Sequence, residues 1–205
     1  MSIMIDQLTV PPRVVVTSTV SGLMMMSFFT LAWVSNLFAG WAAPAAWSAT
    51  AIALACVLCF VGRAVQLIRS RHAFPAELSE EQQRQRRTSG RTFGLLFGAE
   101  AAAIWVVVLL LGATGRSDYV VPAIALIVGL HFFPMARLFR RRVDLYIAAW
   151  TCLVAVAGLI LTGVTDLPAA RVDAWVAVGA AAATAAYGWY MTGTAGDLLR
   201  RAARG

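Results

Sequence analysis

Six long apolar runs alternate with short polar connections along the chain. The runs cover residues 17–39, 46–68, 92–113, 119–139, 144–164 and 172–194. Each is close to the ~20 residues that an α-helix needs to cross the hydrocarbon core of a membrane. Only helices and closed barrels satisfy their backbone polar groups in lipid. The pattern therefore predicts an all-α integral membrane protein with six transmembrane helices in one domain, residues 1–205.

Arginine is distributed asymmetrically between the two sets of connections. All 17 basic residues are arginine, and the net charge is +7. Fourteen lie on one side of the predicted membrane: before the first run, in 69–91, in 137–142 or after the last run. Only Arg116 and Arg171 lie in the connections on the other side, and Arg63 lies inside a run. Cytoplasmic loops are enriched in Arg and Lys. We therefore expect both termini in the cytoplasm, a location in a bacterial inner membrane, and arginines against anionic headgroups.

The composition excludes several classes of protein. Hydrophobic residues make up 60 % of the chain and charged residues 13 %, against about 25 % charged in soluble domains. Phosphate-loop, Rossmann, zinc-protease and serine-hydrolase motifs are absent from the sequence, and the arginine clusters have no interleaved aromatics. We expect neither a nucleic-acid partner nor a cofactor. An intramembrane enzyme ranks behind two non-enzymatic alternatives, because no nucleophile–base pair can be identified.

The first four runs contain an internal repeat. Segment 22–69 matches segment 94–141 at 14 of 48 positions without a gap. This predicts two helical hairpins of common origin in the same orientation, related by an axis along the membrane normal. The last two runs have the same hairpin length but match weakly, so a third copy is an open alternative.

Three ionisable side chains lie inside the runs at similar depth. At 1.5 Å per residue, Arg63, Glu100 and His131 lie about 8–12 Å below the cytoplasmic boundary. A charge in hydrocarbon is costly and normally paired, so we expect an ion pair between Arg63 and Glu100. Two alternatives are a pair that only fixes helix packing and an Arg63 that extends to the headgroups.

His131 lies three residues before Pro134, whose ring displaces the Leu130 carbonyl from its helical hydrogen bond. A neutral imidazole beside a free carbonyl can relay protons, bind a metal or hold a polar ligand. The alternative is a packing histidine that is bonded to a neighbouring helix. Tyr187 lies at similar depth in the sixth run, where it could line the same cavity or simply pack.

The second run carries Cys56, Cys59, Arg63 and Gln66 on one helix face. The Cys-x-x-Cys spacing is typical of metal or redox sites, so Cys56, Cys59 and His131 form a weak metal candidate. Buried cysteine more commonly behaves as a small apolar residue. We therefore predict no metal site, and we place Cys59 among the residues that line the pocket.

Residues 123–139 resemble a family of uncharacterised bacterial multi-spanning membrane proteins. The resemblance rests on the Gly-Leu-His-Phe-x-Pro motif at Gly129–Pro134 and on Glu100 in Phe-Gly-Ala-Glu. It implies a helical membrane fold and a role for Glu100 and His131, and it implies no substrate.

The leading hypothesis is binding or transport of a small solute or ion through a polar pocket that opens to the cytoplasm. Glu100 would carry the exchangeable proton, His131 would relay it and Arg63 would be the counter-ion. The alternative is an accessory, sensor or structural subunit whose buried charges fix packing, with a homo-oligomer also compatible.

In connection 69–91, a capping box predicts a short surface helix, and a solvated linker is the alternative; the box comprises Ser79, Glu80, Glu81 and Gln82.

Overall fold

Long α-helices form nearly all of the structure, a computed structural model that describes residues 11–75 and 80–204. These residues contain seven α-helices, two short 3-10 turns and no strand. The α-helices are α1 (Arg13–Ser35), α2 (Leu37–Gly40), α3 (Ala43–Arg69), α4 (Glu80–Ala113), α5 (Val120–Phe139), α6 (Arg142–Val164) and α7 (Ala169–Ala202). The 3-10 turns are Arg71–Ala73 and Ser117–Tyr119.

All six predicted apolar runs are helical, which confirms the all-α fold. In the described part of the chain, five helical stretches are long and apolar enough to cross a membrane. They are Arg13–Gly40, Ala43–Arg69, Arg87–Ala113, Ser117–Phe139 and Arg142–Val164. Helix α7 is as long as α4 but richer in alanine, glycine and polar residues, and it is not among the five.

Helix α7 lies at the centre of the fold. It packs against α1, α2, α3, α5 and α6, and its buried residues extend from Val172 to Leu198. Its glycines admit neighbouring side chains: Val154 of α6 packs on Gly179, and Phe60 of α3 packs on Gly188. Small residues let helices approach closely in a membrane. The small residues of α7 thus make it the helix on which α1, α2, α3, α5 and α6 pack.

Helix α4 is peripheral. Among the described helices it packs mainly against α5 and the adjacent 3-10 turn, and no residue of its apolar stretch is fully buried. Large side chains such as Leu95 and Trp105 are 76 % and 65 % exposed. The sequence alone did not indicate this difference between α4 and the other runs, because its run is as apolar as they are.

Helix α4 also begins earlier than the apolar run that predicts it. The run starts at 92, whereas the helix starts at Glu80 and continues without interruption for 34 residues. At 1.5 Å per residue this is about 51 Å, longer than ~30 Å of hydrocarbon. Glu, Gln and Arg are good helix formers, so the polar segment extends α4 and does not form a separate surface helix. The predicted cap residue, Ser79, lies outside the described residues.

The two predicted repeat copies occupy different surroundings. Phe60 and its counterpart Phe132 both contact aromatic side chains of α7. Trp33 is buried, however, whereas its counterpart Trp105 is exposed. The common origin of the two hairpins stays a prediction.

Candidate functional site

Glu100 and His131 meet at the contact between α4 and α5. Nδ1 of His131 lies 3.4 Å from Oε2 of Glu100, and the two side chains are only 7 % and 11 % exposed, respectively. The imidazole also faces the backbone carbonyl of Leu96, one turn before Glu100. The sequence placed both residues in one candidate site at similar depth, but it paired Glu100 with Arg63 and not with His131.

Aromatic side chains of α4 and α5 lie next to the pair. Phe93, Phe97 and Glu100 follow each other at spacings of four and three residues, which places them on one face of α4. Phe97 contacts the His131 ring edge-on at 5.6 Å between centroids, and Phe93 contacts Phe139 at 6.2 Å. Aromatic rings therefore line this end of the α4–α5 contact, and Glu100 meets His131 beside them.

The pair can hold one shared proton in two arrangements of zero net charge. One is a carboxylate beside an imidazolium, and the other is a carboxylic acid beside a neutral imidazole. Gain or loss of one further proton leaves a net charge inside an apolar stretch, which costs free energy. Chemically, the arrangement suits reversible exchange of a proton or capture of a small polar ligand.

The structure corrects the expected ion pair between Arg63 and Glu100. The guanidinium of Arg63 donates instead to Oε1 of Gln66 on its own helix, at 2.9 Å. The reason lies in the packing: α3 contacts α1 and α7, whereas α4 contacts α5. Spans that are consecutive in the chain need not be neighbours when a long connection joins them. The neighbour of α4 is α5, and His131 of α5 is the partner of Glu100.

The weak metal candidate also does not assemble. In the part of the chain that the structure describes, no three His, Cys, Asp or Glu side chains are grouped so that they could hold a metal ion. Cys59 is exposed on the surface of α3 and Cys56 is partly buried. Cys56, Cys59 and His131 therefore do not form one site, and the structure does not bring Cys59 to the pair.

Tyr187 is close to the pair but belongs to a different cluster. The Phe132 ring contacts both His131 and Tyr187, with centroid distances of 5.9 Å in each case. On its other side, Tyr187 accepts a hydrogen bond from Nη1 of Arg141 at 3.4 Å and faces the carboxylate of Asp144.

Sequence reasoning missed Asp144, which is fully buried. Asp144 opens the fifth apolar run and follows three arginines. An acidic residue in the first turn of a helix is common for electrostatic reasons, so it was not singled out. What distinguishes Asp144 is the burial of its side chain. That burial depends on the packing of α6 against α5 and α7, which the sequence does not show.

A groove of about 300 Å³ lies at the far end of the α4–α5 contact from its arginine-rich end. Its walls are mainly apolar, with Arg116 and Tyr119 as the polar side chains; the lining residues are Val107, Leu110, Leu111, Arg116, Tyr119, Ala123 and Leu159. The groove therefore does not contain the Glu100–His131 pair and is not the cytoplasm-facing pocket that the sequence predicted.

These features indicate an α-helical membrane protein with one central helix, α7, a peripheral helix, α4, and an ionisable pair where α4 meets α5. Comparisons of the chain with models of known protein families, with curated proteins and with solved structures find no match. The predicted resemblance of residues 123–139 to a membrane-protein family stays a prediction.

Proposed function

We propose that this chain is a bacterial inner-membrane protein that binds or transports a proton, a small ion or a small solute at the Glu100–His131 pair. One observation carries the proposal: two ionisable side chains on different helices lie 3.4 Å apart and are almost shut off from the surface. Intramembrane ionisable residues commonly mark ion pathways and proton relays.

In the proposed topology all six runs cross the membrane and both termini are cytoplasmic. Helix α7 is the sixth span, because a helix surrounded by protein does not need the hydropathy of one that faces lipid. The arginine asymmetry supports the orientation. So does Arg13, whose backbone N–H donates to the Pro75 carbonyl and whose Nε donates to the Arg71 carbonyl, which holds two arginine-bearing helix ends together.

In the proposed mechanism, Glu100 carries the exchangeable proton and His131 exchanges it or contacts the ligand. The α4–α5 contact is the route of access, because the main packing of α4 on the described elements is against α5 and the adjacent 3-10 turn. A change in the charge of the pair alters a polar link between α4 and α5. The proton state of the site is thereby coupled to the position of α4.

A second candidate function is that of an accessory or sensor subunit. The unburied apolar surface of α4 favours it, since such a surface can pack against a helix of another subunit. In that case the Glu100–His131 contact fixes α4 in place and exchanges nothing. A partner that co-purifies in fixed ratio and is released by substitutions on α4 would support this function.

A thermal-stability screen of the purified protein tests the proposal. A panel of ions, metals, pH values and small solutes is applied to the wild type, Glu100→Gln and His131→Ala. Asp197→Asn and His72→Ala are matched controls, because Asp197 pairs with Arg200 on the surface and His72 is exposed. We expect a ligand or proton response in the wild type and both controls that is lost in both site variants. A response that survives in Glu100→Gln would contradict the proposal.

A further inference from the structure

Asp144 is an ionisable residue whose side chain is fully buried. Its side chain lies in the first turn of α6 and is 0 % exposed. Among the described residues, neither of its carboxylate oxygens has a hydrogen-bond partner. Buried polar groups are normally bonded, so this carboxyl group requires a physical account.

Two polar groups face Asp144. The Tyr187 hydroxyl approaches from α7, and the Arg141 guanidinium approaches from the connection between α5 and α6. Arg141 makes no ion pair with Asp144; it donates to the Tyr187 hydroxyl and lies over the Phe139 ring at 5.2 Å. The guanidinium of Arg141 is thus bound elsewhere, and the described residues give the carboxyl group no direct counter-ion.

Most other charged groups on the neighbouring elements are exposed at the surface. From α5, the Phe132 ring contacts both His131 and Tyr187, and Arg137 is exposed. Arg142, on α6 itself, is exposed, and the Asp197–Arg200 pair lies on the surface of α7. Arg141 and Tyr187 are therefore the groups that any change of charge at Asp144 involves.

The possible ligands of this carboxyl group are few. An ionised carboxylate that lacks donors in a protein interior costs several kcal/mol, and a side chain at 0 % exposure leaves no room for water beside it. A metal ion needs more oxygen ligands than are present; the buried hydroxyl of Thr151 lies seven residues on, about 10 Å further along the helix. A proton needs no further ligand.

We infer that Asp144 is a second proton-binding site of this protein, separate from the Glu100–His131 pair, in which the protonated carboxyl group faces Tyr187. Loss of the proton leaves a negative charge three residues from Arg141. The guanidinium then moves from Tyr187 to Asp144 and draws the connection between α5 and α6 with it. Arg140, with a left-handed φ of 53°, is the point at which that connection turns.

Infrared spectroscopy of the protein in lipid tests this inference, because a protonated carboxylic acid has a carbonyl stretch that a carboxylate lacks. At neutral pH we expect a protonated-acid band that is lost in Asp144→Asn and retained in the surface control Asp197→Asn. The band is compared also in Glu100→Gln, so that a contribution from Glu100 is distinguished. An Asp144→Asn spectrum identical to that of the wild type would overturn the inference, as would a band that develops only when Na⁺ is removed.

Tyr187→Phe supplies a second measurement if Asp144→Asn does not fold. The variant keeps the ring that contacts Phe132 and removes only the hydroxyl that faces Asp144. We expect the protonated-acid band to persist and to shift in frequency, since its polar neighbour is lost. An unshifted band would mean that the acid is not Asp144, which would refute the assignment.

Discussion

Nδ1 of His131 on α5 lies 3.4 Å from Oε2 of Glu100 on α4. Helix α4 packs on α5 and the 3-10 turn beside it, whereas α7 packs on five other helices. The same contact is therefore both a polar link between α4 and α5 and the candidate site of proton or ligand exchange. Measurements are most informative where these two roles predict different results.

The strength of the contact is accessible to a double-mutant cycle. For Glu100→Gln, His131→Ala and the double variant we expect a coupling free energy of about 0.5–3 kcal/mol, because each partner alone is left buried and unpaired. Reversible unfolding in detergent measures it. The exposed Asp197–Arg200 pair is the control and should couple more weakly. Zero coupling between Glu100 and His131 would show that the contact does not form.

Close packing of α5 on α6 predicts a difference between two glycines. A Cβ at Gly129 would lie 2.8 Å from the backbone nitrogen of Cys152, whereas a Cβ at Gly98 of α4 has nothing within 4 Å. Gly129→Ala should therefore destabilise the protein by about 1–3 kcal/mol, and Gly98→Ala should cost nothing. Thermal unfolding of the two variants compares them. Equal melting temperatures would contradict the packing of α5 against α6.

The correction at Arg63 leads to a third prediction. Its guanidinium is bonded to Gln66 on its own helix, so Arg63→Gln should leave any ligand or proton response at Glu100 unchanged. The stability screen described above measures this, with Glu100→Gln as the positive control. Loss of the response in Arg63→Gln would restore Arg63 as the counter-ion that the sequence suggested.

The proposed topology depends on whether α7 crosses the membrane. In a variant without Cys56, Cys59 and Cys152, single cysteines are placed at the exposed positions Asp166 and Ala203, which flank α7. A membrane-impermeant maleimide applied to oriented vesicles should label the first from outside and the second from the cytoplasmic side. Labelling of both from the same side would mean that α7 does not span the membrane.

The sequence predicts the helices well and their arrangement poorly. Hydropathy locates the five apolar spans to within a few residues, because the cost of burying polar backbone in lipid acts locally along the chain. It does not locate the start of α4 at Glu80, since the propensities of polar residues determine that start. Nor does it show that α4 is peripheral, because the mean hydropathy of its run, 2.3, hardly exceeds the 2.2 of the partly buried runs Ala43–Arg69 and Arg142–Val164.

The same limit applies to the candidate site. Depth alone brings Glu100 and His131 to one level of the membrane, and the structure joins them. Depth cannot decide that Arg63 lies on a helix that does not pack against α4, and the prediction of that pair was wrong. Asp144 was missed for a related reason: a residue at the end of an apolar run is expected to be exposed, and its burial depends on how α6 packs against α5 and α7.

Proton flux into proteoliposomes tests the central proposal most directly. Wild type, Glu100→Gln and Asp197→Asn are reconstituted at equal density, and a pH-sensitive dye follows the internal pH after a pH gradient is imposed. We expect wild type and Asp197→Asn to carry protons faster than empty liposomes, and Glu100→Gln to insert normally but fall to the rate of empty liposomes. Flux through Glu100→Gln equal to that of the wild type would contradict the assignment of the exchangeable proton to Glu100.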